Sequence, residues 1–297
     1  MSLWVIFTLA AAAMQTVRFA LQKQLKGAGL STAGATFSRF LFAAPLTCLI
    51  AGGMLWSGKE AVPVPGPAFW GFVALGGLAQ ILATFLTVSL FSLRSFAVGI
   101  AFTKTETVQV ALFAAVILAE RVSAAGWAAI ATGLVGLLLL SRTPESGAPL
   151  FGRAALYGIL AGGLFALSAI FYRGATLELL PLGFFVRAVL ALAAATVLQS
   201  AAMALWLRFR DPGEIGRVMR RWRRTALVGL TGMLGSLGWF AAFALQQAAY
   251  VRALGQVEVV FTLIAGALFF RERLTKREGA GIALVVLSVL AIVLSAG

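Results

Sequence analysis

LRSFAVGIAFTKTETVQVALFAAVILAERVS, residues 93–123, and LQQAAYVRALGQVEVVFTLIAGALFFRERLT, residues 245–275, align without a gap at a separation of 152 positions. Glu106 falls on Glu258, Val108 on Val260, Glu120 on Glu272, Arg121 on Arg273 and Ser123 on Thr275. Upstream, Leu93 falls on Leu245 and Ala97 on Ala249. Any two apolar segments share leucines and alanines by composition. A shared glutamate in mid-segment and a shared Glu-Arg at the end do not arise that way. A second match, at a separation of 148, sets Phe37-Ser38-Arg39 against Phe185-Val186-Arg187, and one insertion in a connection accounts for the change of offset. Weak internal symmetry of this kind marks a chain built from two structural repeats, here residues 1–147 and 148–297.

Composition says where such repeats live. Hydrophobic residues make up 61% of the 297 and charged residues 11%, against roughly 45–50% and ~25% in a soluble domain. A water-soluble fold of this size cannot hide so much apolar side chain, and disordered chains are poor in it. The single cysteine, Cys48, excludes a disulfide scaffold. With no histidine in the chain, the usual nitrogen ligand of zinc and the commonest general base are both missing. No metal or cofactor is expected. The chain reads as an integral membrane protein.

A helix crosses ~30 Å of hydrocarbon with about 20 apolar residues. Ten segments qualify: 3–22, 30–56, 67–93, 95–118, 124–141, 154–173, 181–207, 225–247, 249–270 and 279–296. None alternates with the two-residue period of a membrane strand, and helices close their backbone hydrogen bonds internally in lipid. The first segment lacks a basic residue ahead of its apolar run, so it reads as a retained helix and not a signal peptide. The expected fold is all-α, with ten transmembrane helices arranged as two five-helix repeats. Five is odd, so the second repeat enters the membrane inverted. Inverted repeats are characteristic of secondary transporters, whose substrate sits near the midplane between them.

The net charge of +14 is concentrated. Seven arginines (Arg208, Arg210, Arg217, Arg220, Arg221, Arg223, Arg224) follow the seventh span, and Arg271, Arg273, Lys276 and Arg277 follow the ninth. Odd-numbered connections hold sixteen bases against three in the even-numbered ones, counting Arg173 at the edge of the sixth span with the connection after it. Cytoplasmic loops collect Lys and Arg, which places both termini on the opposite side. Such clusters also suit anionic lipid, whereas no nucleic-acid-reading module exists, so no nucleic-acid partner is expected.

Charge inside a bilayer is costly and normally faces protein or a wet cavity. Arg18, Arg39, Lys104, Arg187, Arg252, Glu106 and Glu258 fall within predicted spans. Glu106 and Glu258, near the middle of theirs, suit either a coupling carboxylate or a structural ion pair. Lys104 and Glu106 are two residues apart, about 200° round a continuous helix, and cannot pair with each other; Gln256 and Glu258 stand in the same relation. Lys104 and Gln256, with Arg252 one turn away, are therefore expected to face a cavity, and the two acids to pack against Arg39 and Arg187 or share the cavity rim. Gln15, Arg18 and Gln22 share a face of the first span, and Gln80 and Thr84 one of the third. Gln246 and Gln247 end the eighth span. Trp239 and Phe240, with Phe85 and Phe91, offer stacking surfaces. The expected binding set is Gln15, Arg18, Gln22, Gln80, Thr84, Lys104, Trp239, Gln246, Arg252 and Gln256; the coupling or ion-pair set is Glu106, Glu258, Arg39 and Arg187. Glycines at 229, 232, 235 and 238, and at 126, 133 and 136, are expected to permit close helix approach.

Arg39-Phe40-Leu41-Phe42-Ala43-Ala44 and Ala119-Glu120-Arg121-Val122-Ser123, repeated as Arg187-Ala188-Val189-Leu190-Ala191 and Arg271-Glu272-Arg273-Leu274-Thr275, resemble the drug/metabolite transporter superfamily, specifically its EamA-type members. The resemblance spans essentially the whole chain. It implies a basket of two inverted five-helix halves working by alternating access, its cavity lined by spans 1, 3, 4 and their mates 6, 8, 9. Spans 5 and 10 would be peripheral. Two departures stand out: the family's proline near Glu106 and Glu258 is missing, and many members have cytoplasmic termini, against the charge count.

The functional expectation is a secondary transporter in the cell (inner) membrane, an exporter or exchanger of a small polar or amphipathic metabolite such as an amino acid. Protons or a counter-substrate would drive it, since no nucleotide-binding G-x-x-x-x-G-K loop occurs. The excess of intramembrane bases also leaves room for an anionic carboxylate or phosphate, or a lipid-like solute. A membrane enzyme lacks a visible nucleophile or acid–base cluster. A channel fits poorly with mid-membrane charges between inverted repeats.

Overall fold

The computed structural model describes residues 2–27, 29–57, 63–90, 93, 102–140, 152–261 and 276–295. Among the described residues there are no strands. The helices are α1 (Leu3–Gly27), α2 (Thr32–Leu41), α3 (Ala43–Trp56), α4 (Pro67–Leu90), α5 (Glu106–Ile117), α6 (Ala124–Leu140), α7 (Arg153–Leu177), α8 (Phe184–Arg210), α9 (Pro212–Arg220), α10 (Trp222–Leu245), α11 (Ala248–Leu254) and α12 (Lys276–Ser295). Six apolar stretches are long enough to cross a membrane: α1, α2 with α3, α4, α7, α8 and α10. Three shorter apolar helices, α5, α6 and most of α12, accompany them. The chain is a multi-pass membrane protein.

Helix boundaries follow local chemistry. Ser31 caps α2, its hydroxyl accepting the Gly34 N–H at 3.0 Å, and Pro67 opens α4, where a missing N–H costs nothing. The second predicted span is broken at Phe42. Pro45 lies at the start of α3, and its ring would clash with the carbonyl four residues back in an unbroken helix. The fourth and ninth spans are also interrupted, at Lys104-Thr105 and Gly255-Gln256. Positions 94–101 of the fourth, 262–270 of the ninth and the motif Arg271–Thr275 lie outside the described residues, as does Phe91.

The bundle is assembled on small residues. α4 runs along α7, α6 along α12 and α1 along α10. On α10, a Cβ at Gly238 would come within 2.9 Å of Ala11 Cβ and Phe7 O, while Gly232 lies against the stems of Arg39 and Arg18 and Gly229 against Phe42. A Cβ at Gly136 or Gly281 would meet the other's carbonyl oxygen at 2.9 Å, so α6 and α12 touch backbone to backbone. With no water to expel between helices, close van der Waals packing of this sort is the main attraction available.

The arginine-rich connection after α8 carries the short helix α9, opened by Asp211-Pro212. Its exposed face holds Arg217 and Arg220, while Glu214 and Val218, one turn apart, are fully buried. Glu214 reaches across to α2 and accepts the Ser31 N–H at 2.7 Å, while Arg217 clasps its other oxygen. A carboxylate at a helix N-terminus is favoured by the helix dipole. The approach is possible only because residue 34 has no side chain, since a Cβ there would overlap the Glu214 carboxylate.

Gly34→Ala should therefore expel Glu214 and lose a charged hydrogen bond worth about 2 kcal/mol, read as a lower unfolding temperature in detergent. In a Glu214→Ala background the same substitution should cost much less. Equal costs in both backgrounds would show that the carboxylate is not what residue 34 accommodates.

Candidate functional site

The two interruptions form the floor of the site. Across each, backbone bonds tighten from the i−4 to the i−3 pattern of a 3₁₀ turn. Thr105 N–H reaches Phe102 O at 3.2 Å; in the other, Gln256 N–H reaches Ala253 O at 3.3 Å and Glu258 N–H reaches Gly255 O at 3.1 Å. Threonine hydroxyls take up neighbouring carbonyls, Thr105 Oγ1 donating to Phe102 O (2.7 Å) and Thr107 Oγ1 to Lys104 O (2.9 Å). Gly162 of α7 accommodates the first break, for a Cβ there would lie 2.8 Å from Thr103 O. Gly255 in the second lies under the Trp239 ring, 2.5 Å from where its Cβ would sit. Thr103 to Thr107 and Gly255 thus bend their spans without proline.

Between the breaks lies a cavity of about 170 Å³. Lys104, Glu106 and Thr107 border it from one break and Arg252, Gln256 and Glu258 from the other; Gln15, Phe165 and Trp239 close its sides, with Phe19 and Thr87 towards one end. Four charges meet here, cross-paired. Lys104 Nζ lies 2.8 Å from Glu258 Oε1, and Arg252 is in close ion contact with Glu106. Each acid of one break is thus held by a base belonging to the other. Side chains of all four are between 10% and 18% exposed, so the pairs are largely shielded from bulk solvent. Gln15 Nε2 donates to the second oxygen of Glu258 at 2.5 Å, and Gln15 Oε1 accepts the Trp239 indole N–H at 3.2 Å. The Arg252 guanidinium rests 4.7 Å from the Trp239 ring centre, a cation–π contact. Gln256 Nε2 donates to Thr107 Oγ1.

This geometry corrects the expected pairing. Of the two placements expected for Glu106 and Glu258, they take the cavity rim and not a packing against Arg39 and Arg187, and they share that cavity with Lys104 and Gln256. The 200° separation assumed an unbroken helix; the turn after Lys104 and the turn at Gln256 bring base, amide and acid round to one cavity. Arg39 bonds hydroxyls, Thr84 Oγ1 at 2.9 Å and Ser236 Oγ at 3.3 Å. Arg187 bonds the carbonyls of Thr176 (3.3 Å) and Ala244 (3.1 Å).

Of the expected binding set, Gln15, Lys104, Trp239, Arg252 and Gln256 border the larger cavity. Gln80 borders a smaller one beside it, in a cluster where Tyr172 OH donates to Gln80 Oε1 at 3.1 Å and Gln199 Nε2 donates to both. Arg18 and Gln22 do not reach either cavity: Arg18 donates to Gln22, which donates to Ala35 O. Thr84 is occupied by Arg39. Gln246 is the residue where α10 stops.

One group was not singled out from the sequence. Arg173 donates to Glu120 Oε1 at 2.9 Å and to Phe243 O at 2.5 Å. With Arg187 it satisfies carbonyls in the last turn of α10, groups that a helix end leaves open. Glu120 follows Ala119, whose positive φ of 53° ends α5 and lets the Glu120 N–H return to Ala114 O at 3.2 Å. Nearby Tyr250 OH and Ser123 Oγ share a bond of 3.2 Å. The aligned Glu-Arg of the sequence contained half of this signal; Arg173 stood at the very end of its predicted span.

Lys104→Ala alone should take from Glu258 the ammonium that neutralises it and lower stability by about 3 kcal/mol. Lys104→Ala with Glu258→Gln should cost clearly less than the two single changes added. Strict additivity in unfolding midpoints would mean that the two side chains do not interact.

Comparison with known proteins gives three results. The profile of the EamA-like transporter family matches residues 152–294. One solved protein crystal structure is similar over 99% of this chain and 97% of its own, with a TM-score of 0.74 and 18% sequence identity, a likeness of fold alone. No curated protein matches in sequence.

Proposed function

We propose, for a chain whose residues 152–294 belong to the EamA-like transporter family of the drug/metabolite transporter superfamily, that it is a secondary active transporter. It works as an exporter or exchanger of a small polar or amphipathic metabolite such as an amino acid. The observation that carries this reading is the pair of crossed ion pairs bordering one cavity between two interrupted spans. Interrupted helices at matching repeat positions are where such transporters bind substrate and coupling ions. The cavity is below the ~300–1000 Å³ of sites for drug-sized ligands, which favours a small solute.

The charges suggest how binding and movement are linked. A zwitterion brings one carboxylate and one ammonium. It can replace an internal bond at Lys104 or Arg252 and another at Glu106 or Glu258 while leaving every buried charge partnered. Proton uptake by either acid would release its base in the same way. The ten-span, inverted-repeat reading is supported by the packing: exchanging the two halves turns the α1–α10 pair into the α7–α4 pair and leaves α6–α12 as a self-related pair. The two acids of the crossed ion pairs, Glu106 and Glu258, exchange under that relation, and Lys104 exchanges with Gln256. Alternating access then rocks one half against the other around the shared site.

Positive-inside bias puts the basic connections on the cytoplasmic face of the cell membrane and both termini outside. A C-terminal reporter that works only outside the cytoplasm should be active, and inactivity would reverse this orientation. In proteoliposomes the protein should show saturable counterflow with amino-acid-sized zwitterions. Glu106→Gln and Glu258→Gln should each abolish flux or its pH dependence. Flux with an unaltered pH profile in both variants would remove the acids from coupling, and non-saturable flux would indicate a channel.

A further inference from the structure

Beside Trp239 a second cavity, about 20 Å³, adjoins the larger one. A single water needs about 10–15 Å³, so this space holds one atom-sized occupant. Its polar border differs in kind from that of the larger cavity: no carboxylate lines it, but Ser236, Arg252 and Tyr172 do. Ser236 Oγ accepts from Arg39 at 3.3 Å, which leaves its own proton without an acceptor among the described residues. The Nε–H of Arg252, a side chain only 10% exposed, is likewise buried without an acceptor. Two donors therefore border one small void.

Arg252 is met by Glu106, but the two arginines behind the void are not so matched. Arg39, behind Ser236, is held by hydroxyls, and Arg18, 2% exposed, by the Gln22 amide. Among the described residues neither lies within ion-pair distance of a carboxylate, and Arg18 Nη2 has no acceptor at all. The stems of both arginines rest against Gly232, one turn along α10 from Ser236. Glu258, the acid whose field reaches Arg18, is already bound by Lys104 and Gln15. Uncompensated positive charge in a membrane interior is costly, and an anion in the void would offset it while accepting both orphan protons. The aromatic wall of Trp239, Phe240 and Phe243 leaves no room for a hydrated or polyatomic ion.

We propose that this small cavity is a binding site for a monatomic anion, with chloride as the ion of the right size and charge. The inference can fail independently of the transport reading, because occupancy is read on purified protein with no solute moving, although Arg252 and Trp239 border both cavities. The test is thermal unfolding of the full chain in detergent, in gluconate buffer at fixed ionic strength, titrated with sodium chloride and then sodium bromide. The expected result is a saturable rise in midpoint with either halide. Ser236→Ala should raise the half-saturating chloride concentration about tenfold or more, as loss of one hydrogen bond to a charged group implies, while leaving the midpoint in gluconate close to that of the parent. Equal midpoints in chloride and gluconate would mean that water fills the void, and a parental titration in Ser236→Ala would put the ion elsewhere; either overturns the proposal. Should Ser236→Ala unfold in gluconate, bromide anomalous scattering from crystals of the unaltered protein decides: a peak beside Ser236 supports the site, and its absence overturns it.

Discussion

A charge placed in hydrocarbon must be matched locally, because no solvent is at hand to do it. In this protein that constraint falls on four side chains, Lys104, Glu258, Arg252 and Glu106, and is met by crossing them between two segments far apart in sequence. Had each acid found a base on its own segment, the bundle would contain two closed electrostatic units with no reason to stay in contact. Crossed, they make each segment electrically incomplete without the other. The same arrangement keeps the region polar, so the cavity persists where apolar side chains would have collapsed into it.

The crossing depends in turn on two short stretches where the helix tightens. A regular helix would turn Lys104 away from Glu106 and Gln256 away from Glu258. By drawing in the backbone at Thr105 and Gln256, the chain collects groups on one side that helical spacing would have dispersed. The freed carbonyls are answered by threonine hydroxyls of the same stretch and by close packing on Gly162. Polar backbone in the middle of a membrane is tolerable where it is buried in protein or borders a polar cavity, and both conditions hold here.

Much of this was legible beforehand. Apolar runs and their spacing were enough to recognise a multi-pass helical protein, and the aligned glutamates pointed to the segments that carry the cavity. Lys104, Arg252, Gln256 and Gln15 stand out in the sequence because polar groups facing lipid are costly, and Trp239 because it offers a stacking surface. The partners of the acids were not legible: angular reasoning holds only for an unbroken helix, and neither Gly255 nor the threonines around Lys104 announce a break as proline does. Arg18, Gln22 and Thr84 were credited with a cavity position for being polar on the right helices, but buried amides and hydroxyls satisfy guanidinium groups too. The Arg173–Glu120 contact escaped because one member ends a span and the other lies in a distant connection, and nothing local links them. Glu214 was hidden by the arginines around it, which drew attention to the loop's charge and away from its one buried acid.

The two guanidinium groups on the last turn of α10 have a mechanical meaning. Arg173 belongs to α7 and Arg187 to α8, yet both grip adjacent carbonyls, Phe243 and Ala244, just before the chain turns at Gln246. Three rods are thereby riveted at one end, and α10 cannot pivot there independently of the other two. The chain leaves helical geometry just beyond those carbonyls, in the extended joint at Gln246-Gln247, so the stretch that carries α11 and Arg252 is coupled to the riveted corner through two extended residues alone.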